Sequence, residues 1–264
     1  MKEQFRRNGR FNDRENEEPQ INENQLEGRN ALTEALKSGR TIDKVFIAAG
    51  DTDRALQRLA YEAKQAGAVV VTADRRKLDT MSQTHSHQGV IAFAAAATYY
   101  SIDDILQTAY DRGEAPLIVI CDELSNPHNL GAIIRSAECA GAHGVIIPKR
   151  RSVGLTAAVS KTSAGAIEYV KVAKVTNINA AIAELKEKGV WIFGTAAEGS
   201  IAMYKADLTV PAAIVIGSEG DGMGRLVRQN CDVTVSIPLK GNITSLNAAA
   251  AASVLLYEAV RQRM

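Results

Sequence analysis

Three polar, glycine-bearing blocks constrain what this chain can fold into: NPHNLGAIIRSAECAG (126–141), IVIGSEGDGMG (214–224) and IPLKGNITSLNAAAAA (237–252). Each begins where a hydrophobic, β-rich run ends, and the first and third run on into alanine-rich helical sequence. Ligand sites of α/β proteins gather at the carboxyl ends of strands, so three such ends predict one composite pocket. Asn129, Arg135, Glu219, Ser245 and Asn247 are polar residues in these blocks that a plain αβ packing unit does not require.

The sequence around the blocks alternates in the manner of a mostly parallel α/β sheet. Strands are expected over 117–121, 144–148, 168–172, 190–194, 212–217 and 234–238. Helices are expected over 132–140, 155–160, 178–188, 226–229 and 246–262. This larger domain spans 114–264. A smaller α/β domain precedes it over 21–97, with helices over 30–37, 53–66 and 75–81 and strands over 44–48, 68–72 and 90–94. In the second of those helices Ala55, Leu56, Leu59, Ala60 and Ala63 share one stripe, and Gly67 stops it. Residues 98–113 read as a bridging helix or linker. The first 20 residues mix Arg6, Arg7 and Arg10 with Glu15, Glu17 and Glu18 and hold few apolar side chains. Such a tail cannot bury enough surface to offset its ordering entropy and is expected to be disordered, as a solubilising segment or as a basic arm.

Composition narrows the function classes. Aromatic residues make up 5% of the chain, which favours alanine-rich helices packed closely on a sheet over a β sandwich. With a formal net charge of +1 no global cationic field advertises a nucleic-acid partner, so any such affinity must be local. Lys149, Arg150 and Arg151, with Lys161 nearby, form the densest basic cluster; it reads either as a solvated face or as a contact for an RNA backbone. The three cysteines, Cys121, Cys139 and Cys231, form neither a CxxC pair nor a Cys/His cluster, so neither a disulfide framework nor a metal site is indicated. Buried thiols in a reducing cytoplasm are expected. The N-terminus has no apolar secretory core, and the longest apolar run, 89–97, falls far short of the roughly 20 residues of a membrane helix. A cytoplasmic protein without membrane or metal is expected.

The blocks taken one by one leave choices open. The second follows a strand with Gly217, Gly220, Gly222 and Gly224 but matches neither GxGxxG nor GxxxxGK[ST], so the usual phosphate cradles are missing. It is a structural loop with a solvated Glu219, or a place where backbone meets ligand closely. In the third, either Ser245 or Asn247 would suffice to cap the helix, and the other is surplus. In the first, Asn129 is expected before the helix and Arg135 about one turn inside it, at an N-terminus suited to an anion. A surface ion pair is the alternative for Arg135.

Taken together and in this order, the three blocks resemble the signature motifs of the SpoU (TrmH-like) ribose 2′-O-methyltransferases of the SPOUT superfamily. The preceding unit, with EGRNALTEAL near its start and SHQGVIAF near its end, resembles the ribosomal-protein-like substrate-binding domain many members carry. The resemblance implies a C-terminal trefoil knot, a homodimer and S-adenosylmethionine (SAM) as cofactor. RNA would be the substrate, 23S ribosomal RNA first and transfer RNA as the alternative. It also implies cofactor contacts at Gly194, Thr195, Ile216, Gly217, Glu219, Gly220, Ile237, Leu246 and Asn247. Arg135 would engage the ribose hydroxyl, with Asn129, Glu219, Ser245 and Asn247 ordering the site. An arginine acting literally as base conflicts with a pKa above about 12, so a contact to the phosphate and hydroxyl is the preferred role. A catalytically silent RNA-binding module of this fold, or a nucleotide-dependent oxidoreductase, would be the competing readings.

Overall fold

The computed structural model describes residues 24–50, 53–196 and 201–264; the expected N-terminal tail lies outside them. In the small domain, β1 (Gln25–Glu27), β2 (Ile42–Ala48), β3 (Val69–Ala73) and β4 (Val90–Ala94) form a sheet in the order β1-β4-β2-β3. Strands β2 and β3 are parallel, and β4 runs antiparallel to both β1 and β2. Helices α1 (Arg29–Lys37), α2 (Arg54–Gln65) and α3 (Arg75–Met81) pack on it. The carboxylates of Asp53 and Asp74 accept hydrogen bonds from the Ala55 and Arg76 amides and so start α2 and α3. Leu56, Leu59, Ala60 and Ala63 of the α2 stripe are buried, as their spacing predicts, whereas Ala55, expected with them, lies in the first turn and is exposed.

The segment read as a bridge or linker contains α4 (Ile102–Arg112), started by a Ser101–Asp104 capping box and ended by left-handed Gly113. Its Ile102, Ile105 and Leu106 sit in the core of the large sheet, so it is a packing helix of the second domain rather than a spacer. The large sheet contains β5 (Leu117–Cys121), β6 (Gly144–Pro148), β7 (Lys171–Val175), β8 (Trp191–Thr195), β9 (Ile201–Ala202), β10 (Ala212–Ile216) and β11 (Val233–Ser236). Their order is β7-β6-β5-β10-β8-β11-β9, and every pairing is parallel. Helices α5 (Pro127–Cys139), α6 (Ala157–Thr162) and α9 (Ala248–Arg263) cover one face. Helix α4 covers the other, with α7 (Ile178–Glu187) and α8 (Arg225–Asn230). Covered on both sides, the central strands LIVIC and AAIVI are apolar at every position instead of alternating.

Two details depart from the sequence reading. Strand β7 begins at Lys171 rather than near residue 168, because left-handed Gly165 leads into a single 3-10 turn, Ala166–Glu168, that leaves Tyr169 exposed. Strands β1 and β9 are too short to show a period. Of the three thiols only Cys121 is fully buried, and Cys139 is exposed. Burial pushes the Cys121 thiol up to about 12 and Cys231 up to about 11, which removes both from thiolate chemistry at neutral pH.

The two domains meet at a small polar lock. Asp43 on β2 pairs with Lys174 on β7, their side chains being 9% and 12% exposed. The Tyr99 hydroxyl donates to Asp43 Oδ2 at 3.1 Å and accepts from the Leu155 amide at 2.8 Å. Burial raises the Tyr99 pKa far above the usual phenol range, so it stays a donor.

Candidate active site

Parallel pairing puts the carboxyl ends of β5, β8, β10 and β11 along one edge, and all three blocks begin there. The first opens with Asn126, whose side chain accepts from the His128 amide, and Pro127 occupies the first helical position. This pair starts α5 earlier than the sequence reading placed it. Asn129 is therefore inside the helix rather than before it, and is buried at 6% exposure. Arg135 sits about two turns in, not one, and roughly 120° around the axis from Asn129. It is exposed, without a side-chain hydrogen bond or ion pair among the described residues.

The second block folds into a tight loop. The Ser218 amide donates to the Gly222 carbonyl at 3.0 Å, and the Gly222 amide returns a bond to Ser218 at 3.1 Å. A Cβ on Gly217 would lie 2.2 Å from the Gly222 carbonyl carbon, so this glycine is demanded by the loop's own closure. Gly220 at the tip is open. The base of the loop is held by Asp122, whose Oδ2 accepts from the Gly224 amide at 2.8 Å. Burial raises the Asp122 pKa, an effect this hydrogen bond opposes. Sequence reading missed Asp122; the only available signal was a carboxylate directly after a buried strand.

The loop projects Glu219 onto the other two blocks. Asn129 Nδ2 donates to Glu219 Oε1 at 2.9 Å, and Asn247 Nδ2 donates to Asn129 Oδ1 at 2.9 Å and also to Glu219 Oε1. Asn247 simultaneously caps α9, its Oδ1 accepting from the Ala249 and Ala250 amides. The competition between capping and site chemistry is thus resolved in one residue: the carbonyl end caps and the amide end reaches across. Helices α5 and α9 meet again where the hydroxyls of Ser136 and Ser253 lie 2.8 Å apart.

Beside this junction lies a mainly apolar cleft, lined by Thr195, Val235, Ile237, Ser245, Leu246 and Leu255 among others. It gathers four of the expected site residues, Thr195, Ile237, Ser245 and Leu246. Ser245 is exposed and makes no side-chain hydrogen bond among the described residues. Ile216 is buried within β10. Gly194 faces Cys231 and Met223, where a Cβ would come within 2.8 Å of both, so its small size is needed for packing. The cleft's mainly apolar walls suit an adenosine-like ring system. Among the described residues no cluster of His, Cys, Asp or Glu could hold a metal. His143 and His87 are buried hydrogen-bonding residues; His143 accepts from the Leu117 amide, and burial lowers its pKa.

Comparison with known proteins gives the family. Residues 116–257 match the model of the SpoU rRNA Methylase family, and residues 25–100 match the RNA 2′-O ribose methyltransferase substrate-binding domain. The chain belongs to the SpoU rRNA Methylase family. It is 46% identical to the putative TrmH family tRNA/rRNA methyltransferase YacO of Bacillus subtilis, over 89% of this chain and 94% of that protein. It is 42% identical to the 23S rRNA (guanosine-2′-O-)-methyltransferase RlmB of Ralstonia nicotianae, over 90% of this chain and 95% of that protein. Among solved structures, the SpoU methyltransferase AviRb of Streptomyces viridochromogenes in complex with AdoMet superposes with a TM-score of 0.59 at 25% identity, covering 90% of each chain.

Proposed function

We propose that this family member transfers a methyl group from SAM to a ribose 2′-hydroxyl of RNA, with a guanosine of 23S ribosomal RNA as its target. The observation that carries the reading is the junction of Asn129, Glu219 and Asn247, one residue from each block, beside a mainly apolar cleft. The identity to a 23S rRNA guanosine methyltransferase supports the target.

SAM supplies an electrophilic methyl on a sulfonium; oxygen–carbon bond formation, sulfur–carbon cleavage and loss of the hydroxyl proton complete the transfer. The protein's part is placement. Thr195, Ile237 and Leu246 wall the cofactor cleft. Arg135, unpaired and exposed, holds the phosphate and hydroxyl of the target nucleotide. The three-way junction keeps α5, the loop and α9 in register, so the cofactor cleft and the Arg135-bearing helix cannot shift independently. The chain order supports a knot: β11 lies beyond β8 in the sheet, yet the following segment returns to lay α9 against α5 and β10. Exposed Ile243, Leu246 and Tyr257 on that segment support pairing of two copies there.

Purified protein incubated with methyl-labelled SAM and unmodified 23S rRNA transcript should label one guanosine ribose, mapped by primer extension. Label on transfer RNA alone would move the target to that substrate, and no label on any RNA would defeat the reading.

A further inference from the structure

Outside the methyl-transfer site the molecule's most unusual surface is the cleft between its two domains. It has two lobes, of about 590 Å³ and about 450 Å³, which share Val69, Lys149 and Arg150. The first lobe reaches Tyr61 and Lys64 of α2, and the second reaches Lys44 and Phe46 of β2. The charges here do not cancel. Lys174 is matched by Asp43, and Arg151 is matched by Glu123 at 3.1 Å. Lys44, Lys64, Lys149 and Arg150 have no acidic partner among the described residues, and Lys44 lies over the Phe46 ring. The ammonium of Lys149 is held below its ordinary range by partial burial, with Lys174 and Arg150 adding to the effect. Unpaired cations crowded into a concave, partly desolvated space lack a counter-anion.

The cleft also connects to the first block. Ser152 Oγ donates to the Leu124 carbonyl at 2.8 Å, the Val153 amide donates to the same oxygen at 2.9 Å, and Arg151 binds Glu123. One loop, 149–156, therefore lines the cleft and braces the residues that lead into α5. Its other side meets the interdomain lock, because a Cβ on Gly154 would fall 2.5 Å from Asp43 Oδ2.

We infer that this interdomain cleft is the track of the RNA sugar–phosphate backbone next to the target nucleotide, gripped from one side by Lys149 and Arg150 and from the other by Lys44 and Lys64. The Asp43–Lys174–Tyr99 lock is a positioning element that fixes the spacing of the two walls. This rests on the proposed RNA methylation and adds the small-domain lysines and the lock to it. A polyanion with regularly spaced charges and a flexible backbone fits two opposed cationic walls, and the strand need not be read by sequence.

The test uses the full-length protein and unmodified 23S rRNA transcript. Lys64→Glu combined with Lys149→Glu should raise the RNA Kd at least about tenfold at low salt. The slope of log Kd against log salt should fall by about 1.4, since each lost phosphate contact on a single strand removes about 0.7. SAM binding should be unchanged, which shows that the variant is folded. Tyr99→Phe should raise KM for RNA with kcat held, a split that loss of folding would not produce. Wild-type Kd and salt slope in the double variant, with methyl transfer intact, would overturn the cleft while leaving the enzymatic reading standing. A wild-type protein that labels no RNA would instead fail the reading beneath it. Equal KM in Tyr99→Phe would remove the lock from substrate positioning.

Discussion

The two polar regions of this molecule stand in opposite states of satisfaction. At the junction of the three blocks, Asn129, Glu219 and Asn247 bond to one another, and Asn247 uses both ends of its amide. In the interdomain cleft, Lys149 and Arg150 sit close together without an acidic partner among the described residues, Asp43 being paired with Lys174. A satisfied network needs no reorganisation when its ligand binds and holds geometry; an unsatisfied one is stabilised only when its partner arrives. The first is built for a small molecule that must be placed accurately, the second for a charged polymer that must be attracted and held.

The largest effect is expected where the two regions meet the reaction. Arg135→Ala should lower methyl transfer about a thousandfold, or about 4 kcal/mol of transition-state stabilisation, with SAM affinity near wild type. Wild-type turnover by this variant in a single-turnover assay would remove Arg135 from the site. Salt should then separate the two regions. Between 50 and 200 mM, four backbone contacts predict that RNA binding weakens about fiftyfold while SAM binding barely moves. Parallel titrations that shift together would erase the distinction. The smallest effect tests the junction itself. Glu219→Ala leaves the buried Asn129 amide without its acceptor and should cost about 1–3 kcal/mol, seen as a fall in Tm of several degrees, with Glu219→Gln largely restored. An unchanged melting curve for Glu219→Ala would mean that the junction does not hold the blocks together.

Much of this was legible in the chain. The buried strands β5, β6 and β10 and the stripe of α2 follow from apolar runs and helical spacing, because local burial patterns survive folding. Asn126–Pro127 carried a signal that the sequence reading passed over when it placed the helix at 132–140: a capping residue followed by proline is a helix start. What the sequence could not show are relations between distant segments. That Gly217 serves the closure of its own loop, that Gly194 makes room for Cys231 and Met223, and that Asp122 ties down Gly224 all depend on contacts across the sheet. The Asp43–Tyr99–Lys174 lock joins residues from both domains, and none of the three stands out in its local sequence.

By itself, the sequence determined that three polar blocks would stand at strand ends, and that five of their side chains were surplus to packing. Local hydrophobic pattern and turn chemistry are enough for that, since they act over a few residues. Tertiary structure alone decided which of the five meet. Asn129, Glu219 and Asn247 converge because parallel strands deliver their carboxyl ends to one edge, while Arg135 is turned outward by the helical repeat. It also decided that Lys149 and Arg150 face a second wall of lysines, an arrangement fixed by how the two domains pack.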